Sequence, residues 1–68
     1  MGVIKKIDCN IVEQQDEKFK VKMKSGNIIL ADVVDGVDIT HLKVGTKVKV
    51  QLDIRNFATA KIISVVGA

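Results

Sequence analysis

The 68-residue chain contains no proline, tryptophan or tyrosine, and its aromatic side chains are limited to Phe19 and Phe57. Because proline is absent, no strand is interrupted by a missing backbone donor. Because aromatics are few, a core must be built from aliphatic side chains, mainly valine and isoleucine, which favour strands. The hydrophobic fraction is 47%, so such a core is available, and the length predicts a single domain over residues 1–68.

Reactive and metal-binding side chains are equally scarce, with one cysteine, Cys9, and one histidine, His41. A lone cysteine forms no internal disulfide and is typical of a reducing compartment, so we predict a cytoplasmic protein. The chain shows no signal-peptide core and no run approaching the roughly 18 apolar residues of a membrane span. His41 has no second ligand nearby and Cys9 has no base at a recognisable spacing. We therefore predict a non-enzyme without metal or cofactor.

The charge of the chain comes mostly from lysine. Lys and Arg number 11 and Asp and Glu number 8, which gives a net charge of +3 at pH 7. Arg55 is the one arginine, so it alone offers planar, bidentate recognition of an anion. This mildly basic balance permits an anionic partner without requiring one.

The most regular pattern is KFKVKMK over residues 18–24. Successive side chains of a strand point to opposite faces, so this stretch predicts a strand with one apolar face and one basic face. The apolar positions are Phe19, Val21 and Met23, of which we assign Phe19 to the core. The basic positions are Lys18, Lys20, Lys22 and Lys24.

A hairpin turn is indicated by SGN at residues 25–27, followed by a strand over residues 28–34. A three-residue loop keeps every inward pair apolar. A two-residue loop would instead set Phe19 against Asp32 and bury an unpaired carboxylate. The three-residue register predicts that Asp32 faces Lys20 on the outer surface.

The remaining segments complete the order of elements. We predict a first strand over residues 3–12, with a bulge or a change of face near its start, and a polar connection EQQDE over residues 13–17. After the hairpin we predict a short helical turn capped by Asp38, a fourth strand over residues 46–53, a loop over residues 54–58 and a fifth strand from residue 59 to residue 66. Three strands, a short helix and two strands is the order of the OB-fold, an all-β barrel of five strands. An SH3-like barrel is the alternative.

Two stretches of the chain also carry a family resemblance. They are KFKVKMKSGNIILADV over residues 18–33 and VGTKVKVQLDIRNFATAKII over residues 44–63. They resemble the second to fifth strands of bacterial translation initiation factor one, an OB-fold family. The resemblance implies RNA binding, with the ribosome as a partner. The chain departs from the family in carrying DGVDITHLK where a basic cluster is usual, and Arg55 where a tyrosine is usual.

The lysine side of residues 18–24 is the first candidate site. The outer surface of strands two and three is where OB-folds bind oligonucleotides, and lysines there would neutralise phosphates. Phe57 is the one candidate for stacking on a base, unless it closes the end of the barrel. The predicted nucleic-acid-binding residues are Lys18, Lys20, Lys22, Lys24, Lys47, Lys49, Arg55 and Phe57. The structural alternative is a solvated face that blocks pairing of strand edges.

Three aliphatic residues on the same outer face, Ile28, Leu30 and Val34, carry a second hypothesis. Such a stripe is typical of a protein interface or of a homo-oligomer. Alternatively, residues 13–17 or the C-terminal tail cover it. A small anion-binding oligomer is a third hypothesis, to which no particular residue points.

Overall fold

The computed structural model describes residues 3–66, apart from the side chain of Phe57. Its elements are β1 (Ile4–Gln15), β2 (Lys18–Lys22), β3 (Ile28–Val33), a 3-10 turn (Ile39–His41), β4 (Lys47–Asp53) and β5 (Asn56–Val65). The strands form a closed barrel in the order β1-β2-β3-β5-β4, and β4 pairs back onto β1. The predicted all-β barrel of five strands with a turn between β3 and β4 is confirmed. Its parallel β3–β5 pair is the crossover of a Greek-key barrel of the OB-fold type.

The barrel interior is filled by aliphatic side chains and one phenylalanine. The buried core consists of Cys9, Ile11, Phe19, Val21, Ala31, Leu42, Val48, Val50, Leu52, Ala60 and Ile62. In the described part of the chain, no polar or charged side chain is buried. The inward positions predicted for β2, Phe19 and Val21, are therefore confirmed, and Val48, Val50 and Leu52 point inward from β4.

β1 is longer than the sequence suggested. It extends to Gln15, and only Asp16 and Glu17 form the turn into β2. The predicted connection over residues 13–17 is therefore wrong. Asp16 takes a φ of 56°, the left-handed conformation that aspartate tolerates in tight hairpins. With so short a turn, the polar residues before it remain in the strand ladder.

A β-bulge lies in the middle of β1. The register with β2 changes between Ile11, which faces Val21, and Glu13, which faces Lys20. Val12 is therefore the extra residue. The bulge predicted near the start of the strand is wrong, since residues 4–10 pair with β4 in one continuous register.

The β2–β3 hairpin is displaced by two residues from the predicted register. Phe19 faces Ala31, and Lys20 faces Leu30 instead of the predicted Asp32. A displacement of two positions leaves the same side chains pointing inward, because the period of a strand is two. The requirement for apolar inward pairs could not separate the two registers.

The turn of this hairpin explains the displacement. The Met23 N–H donates to the Asn27 carbonyl at 2.8 Å, and the Gly26 N–H donates to the Met23 carbonyl at 2.9 Å. The loop therefore has the predicted three residues but consists of residues 24–26. Gly26 takes a φ of 94°, which glycine adopts without steric cost.

The connection between β4 and β5 is shorter than predicted. Only Ile54 and Arg55 form the turn, so the loop predicted over residues 54–58 is wrong and β5 begins at Asn56. The Asp53 carboxylate accepts a hydrogen bond from the Arg55 N–H at 2.9 Å. This side-chain bond to the backbone stabilises a tight turn.

Asp38 caps the 3-10 turn, as predicted. Asp38 Oδ1 accepts hydrogen bonds from the Thr40 hydroxyl at 2.6 Å and the Thr40 N–H at 3.0 Å. These bonds hold the pKa of the Asp38 carboxyl below its usual value. The cap is therefore fully formed above the ordinary pKa of an aspartate and is lost as the pH falls through the lowered pKa. Within residues 3–66, no helix has the length and apolar character needed to cross a membrane.

Candidate nucleic-acid interface

β1 lies between β2 and β4 and brings their lysines onto one surface. Asn10 pairs with Lys22 on β2 and with Lys47 on β4, while Asp8 pairs with Lys49. Neighbouring strands lie about 4.8 Å apart, so Lys22 and Lys47 start about 10 Å from each other across β1. We call this surface the basic face and define it by Lys6, Lys22, Lys24, Lys47 and Lys49, with Asp8 and Asn10 among them.

Two adjoining hollows lie on the basic face. The first is lined by Lys6, Lys24 and Lys49, the second by Lys22, Lys24 and Lys47, and Asp8 and Met23 border both. Each hollow thus combines at least one lysine of the β2–β3 hairpin with one lysine of β4. The basic face is a continuous concave surface rather than a row of separate side chains.

Asp8 is the carboxylate within the basic face. Its Oδ1 lies 3.1 Å from Lys49 Nζ, yet the direction of approach makes no hydrogen bond, so Oδ1 is buried without a hydrogen-bond partner. The side chains of Lys49 and Asp8 are 39% and 34% exposed. Water therefore screens their attraction, and the pair contributes less than about 1 kcal/mol to stability. Five lysines around one carboxylate leave the face with a positive field.

Lys18 and Lys20 do not belong to the basic face. Lys18 Nζ lies 3.6 Å from Asp32 Oδ1, and Lys20 Nζ lies 3.3 Å from Glu13 Oε2. The predicted contact between Lys20 and Asp32 is wrong, because the shifted hairpin places Asp32 beside Lys18. The lysines of residues 18–24 thus divide into two with acidic partners and two on the basic face.

Arg55 lies in the β4–β5 turn, away from the basic face. Its Nε is 3.6 Å from Asp53 Oδ1. Asp53 follows Lys49 by four positions on β4, about 13 Å along the strand. Phe57 lies within β5 instead of the predicted loop, and its side chain lies outside the described part of the chain, so its stacking role stays a prediction.

The predicted aliphatic stripe is reduced to two residues. Ile28 and Leu30 are 55% and 40% exposed and stand beside Lys22 and Lys20 on the outer surface. Val34 is half-buried beyond the end of β3, where its N–H donates to the Ile62 carbonyl at 3.2 Å. It is therefore not continuous with the other two.

Cys9 is a core residue beneath the second hollow. Burial, with a smaller contribution from the Asp8 charge, raises the pKa of the Cys9 thiol. The thiol therefore stays protonated at neutral pH, which does not suit a nucleophile. Among residues 3–66, no group of three or more His, Cys, Asp and Glu side chains could hold a metal ion.

Sequence reasoning missed three residues of the basic face, namely Lys6, Asp8 and Asn10. Their signal was the alternation of β1, in which they occupy the outward positions between inward-facing Ile7, Cys9 and Ile11. That signal acquires a functional meaning only once β1 is known to lie between β2 and β4.

Comparison with known protein-family models and with curated protein sequences finds no match to this chain. The interface is therefore interpreted from its own residues.

Proposed function

We propose that the protein is a non-catalytic module that binds single-stranded RNA, or another single-stranded nucleic acid, through the basic face. The observation that carries this proposal is the convergence of five lysines from β1, β4 and the β2–β3 hairpin around a single carboxylate. Lysines placed in this way neutralise phosphates and release the counterions condensed on the nucleic acid. The binding energy is then mainly electrostatic.

The spacing of the lysines suits an extended strand. Lys47 and Lys49 are two positions apart on β4, which separates their Cα atoms by about 6.8 Å. That distance resembles the separation of successive phosphates in an extended single strand. In the described part of the chain the basic face carries no aromatic side chain, so it lacks the stacking that gives about 1–3 kcal/mol per base. We therefore expect weak binding with a strong dependence on salt.

The resemblance to bacterial translation initiation factor one supports the same proposal. That family binds RNA with an OB-fold, and the barrel described above is of this type. The resemblance extends the proposal to the ribosome as a partner and to the cytoplasm as the compartment. The acidic partners of Lys18 and Lys20 favour the β2–β1–β4 surface over the usual β2–β3 surface.

The proposal is tested by titrating a labelled uridine oligonucleotide at several salt concentrations. The triple variant Lys22→Gln, Lys24→Gln, Lys47→Gln removes three charges from the basic face. The control variant Lys5→Gln, Lys43→Gln, Lys61→Gln removes the same charge elsewhere. We expect the first to reduce the slope of log affinity against log salt by about 2, at about 0.7 per phosphate contact, and the control to keep the slope. An equal reduction in both would show that net charge, and not this face, drives binding.

A protein-interaction or self-association surface on the outer side of β2 and β3 is the second candidate. Ile28 and Leu30 favour it because both side chains are exposed on the same face of β3. Two aliphatic side chains provide much less area than a stable interface requires. This function therefore ranks below nucleic-acid binding.

A further inference from the structure

We propose that Asp8 selects guanine in the bound strand, an inference that rests on the proposed function. A carboxylate inside a phosphate-binding surface repels phosphate at short range. A surface that bound only phosphates would gain affinity from a neutral residue at this position. The carboxylate instead suits a part of the ligand that donates hydrogen bonds, and in nucleic acids those donors are on the bases.

The two oxygens of the Asp8 carboxylate have different surroundings. Oδ1 faces Lys49 Nζ at 3.1 Å and is buried. The Asp8 side chain is nevertheless 34% exposed. Oδ2, in contrast, is not a buried atom without a hydrogen-bond partner, and Asp8 lines both hollows. Oδ2 is therefore the oxygen available to a ligand there.

The first hollow has the chemical composition of a nucleotide site. Ile7 and Met23, both half-buried, form an apolar wall beside Asp8. Lys6, Lys24 and Lys49 complete the lining. A base can lie against the apolar wall with its edge toward the carboxylate, while the lysines meet the phosphates on either side of it.

Guanine is the base whose edge fits a carboxylate. In a single strand the Watson–Crick edge is free to be read, and a carboxylate only accepts hydrogen bonds. Guanine presents two adjacent donors there, N1–H and the N2 amino group, and both can converge on the single accessible oxygen, Oδ2. The uracil N3–H lies between two carbonyl acceptors, and the amino groups of adenine and cytosine each lie beside a ring-nitrogen acceptor. Those acceptors repel the carboxylate.

The experiment compares three labelled oligonucleotides: all uridine, the same sequence with one central guanosine, and the same sequence with inosine at that position. Inosine lacks the N2 amino group. We expect the wild-type protein to bind the guanosine oligonucleotide about fivefold more tightly than the uridine one, the lower end of a good side chain–base contact, with inosine between them. Asp8→Ala should bind the uridine oligonucleotide more tightly, since a negative charge is removed, and should bind all three oligonucleotides with equal affinity. The control Asp32→Ala, which removes a carboxylate outside the basic face, should keep it.

Three outcomes would overturn the inference, and they are distinguishable. A wild-type protein without guanine preference, or an Asp8→Ala variant that keeps the preference, would make Asp8 only an ion-pair partner of Lys49, while RNA binding through the basic face would stand. A wild-type protein without salt-dependent binding to any of the three would refute the proposed function, and the inference with it.

Discussion

The lysines of residues 18–24 fall into two halves, Lys18 with Lys20 and Lys22 with Lys24, which have different surroundings. Lys18 and Lys20 lie within 3.6 Å of a carboxylate, whereas Lys22 and Lys24 join lysines of β1 and β4 on the basic face. Within the segment itself the four residues are equivalent. The comparison teaches that the charge of a strand face is decided by its neighbours in the sheet, not by the strand's own pattern.

The bulge at Val12 marks the boundary between the two halves. Beyond it, β1 presents Glu13 to Lys20, and before it, β1 presents Asn10 to Lys22. Two positions along β2, the acidic neighbour of a lysine is thus replaced by a neutral amide. The basic face therefore starts at Lys22 and Asn10, on the far side of the bulge from Lys20 and Glu13.

The largest expected effect is a loss of folding caused by a change on the inward face of β2, which both halves share. Val21 is fully buried, so Val21→Asp would place an unpaired carboxylate in the core at a cost of several kcal/mol. That is a large part of the stability of so small a domain. We expect no cooperative thermal transition by circular dichroism. Lys22→Asp, the next residue on the exposed side, should remain folded.

Cys9 gives a second readout for the same variant. Because burial raises the pKa of its thiol, the native protein should react slowly with a thiol reagent at neutral pH. Val21→Asp should react rapidly. A slow reaction and a folded Val21→Asp protein would show that the inward and outward faces of β2 are exchanged.

The next effect separates the two halves directly. At about 0.1 M salt, loss of one phosphate contact with a slope of about 0.7 corresponds to about a fivefold loss of affinity. Lys22→Gln should show this loss in the uridine titration. Lys18→Gln, which removes an equal charge from the half with acidic partners, should change affinity less than about twofold. Equal losses of affinity in the two variants would mean that an acidic partner does not prevent a lysine from binding phosphate.

Leu30→Lys tests the apolar part of the outer surface and should have a smaller effect. Leu30 is 40% exposed, so we expect the free energy of unfolding to change by no more than about 0.5 kcal/mol. RNA affinity should be unchanged or slightly higher. If the second candidate function is correct, the added charge should instead abolish self-association, measured as mass in solution. Unfolding of the variant would contradict the observed register.

The smallest effect is expected from Glu13→Gln, which removes the partner of Lys20. Both side chains are largely in solvent, at 43% exposure for Lys20 and 58% for Glu13. Their pair should therefore contribute no more than about 0.5 kcal/mol to stability in a urea titration. The change removes the acidic partner of Lys20, so Lys20 should become available to phosphate and RNA affinity should rise slightly. A larger loss of stability would mean that this pair helps to hold the bulge.

The order of elements and the composition of the core followed from the sequence because alternation reports directly which side chains share a face. The register of the β2–β3 hairpin did not, because a shift of two residues preserves that alternation. The long β1 and the short β4–β5 turn were missed because Asp16 and Asp53 allow tighter turns than their polar neighbours suggest. The basic face required the pairing of Asn10 with Lys47, which no local pattern encodes.

The position of Gly26 has a consequence for the energy landscape of the hairpin. The two registers point the same side chains inward, so alternation does not separate them, and the turn is the local feature that does. A residue other than glycine at the φ of 94° found here is disfavoured by about 1–2 kcal/mol. In the alternative register Asp32 would face Lys20 and release Lys18. The turn that Gly26 completes thus helps to decide which lysines have acidic partners and which are available to a ligand.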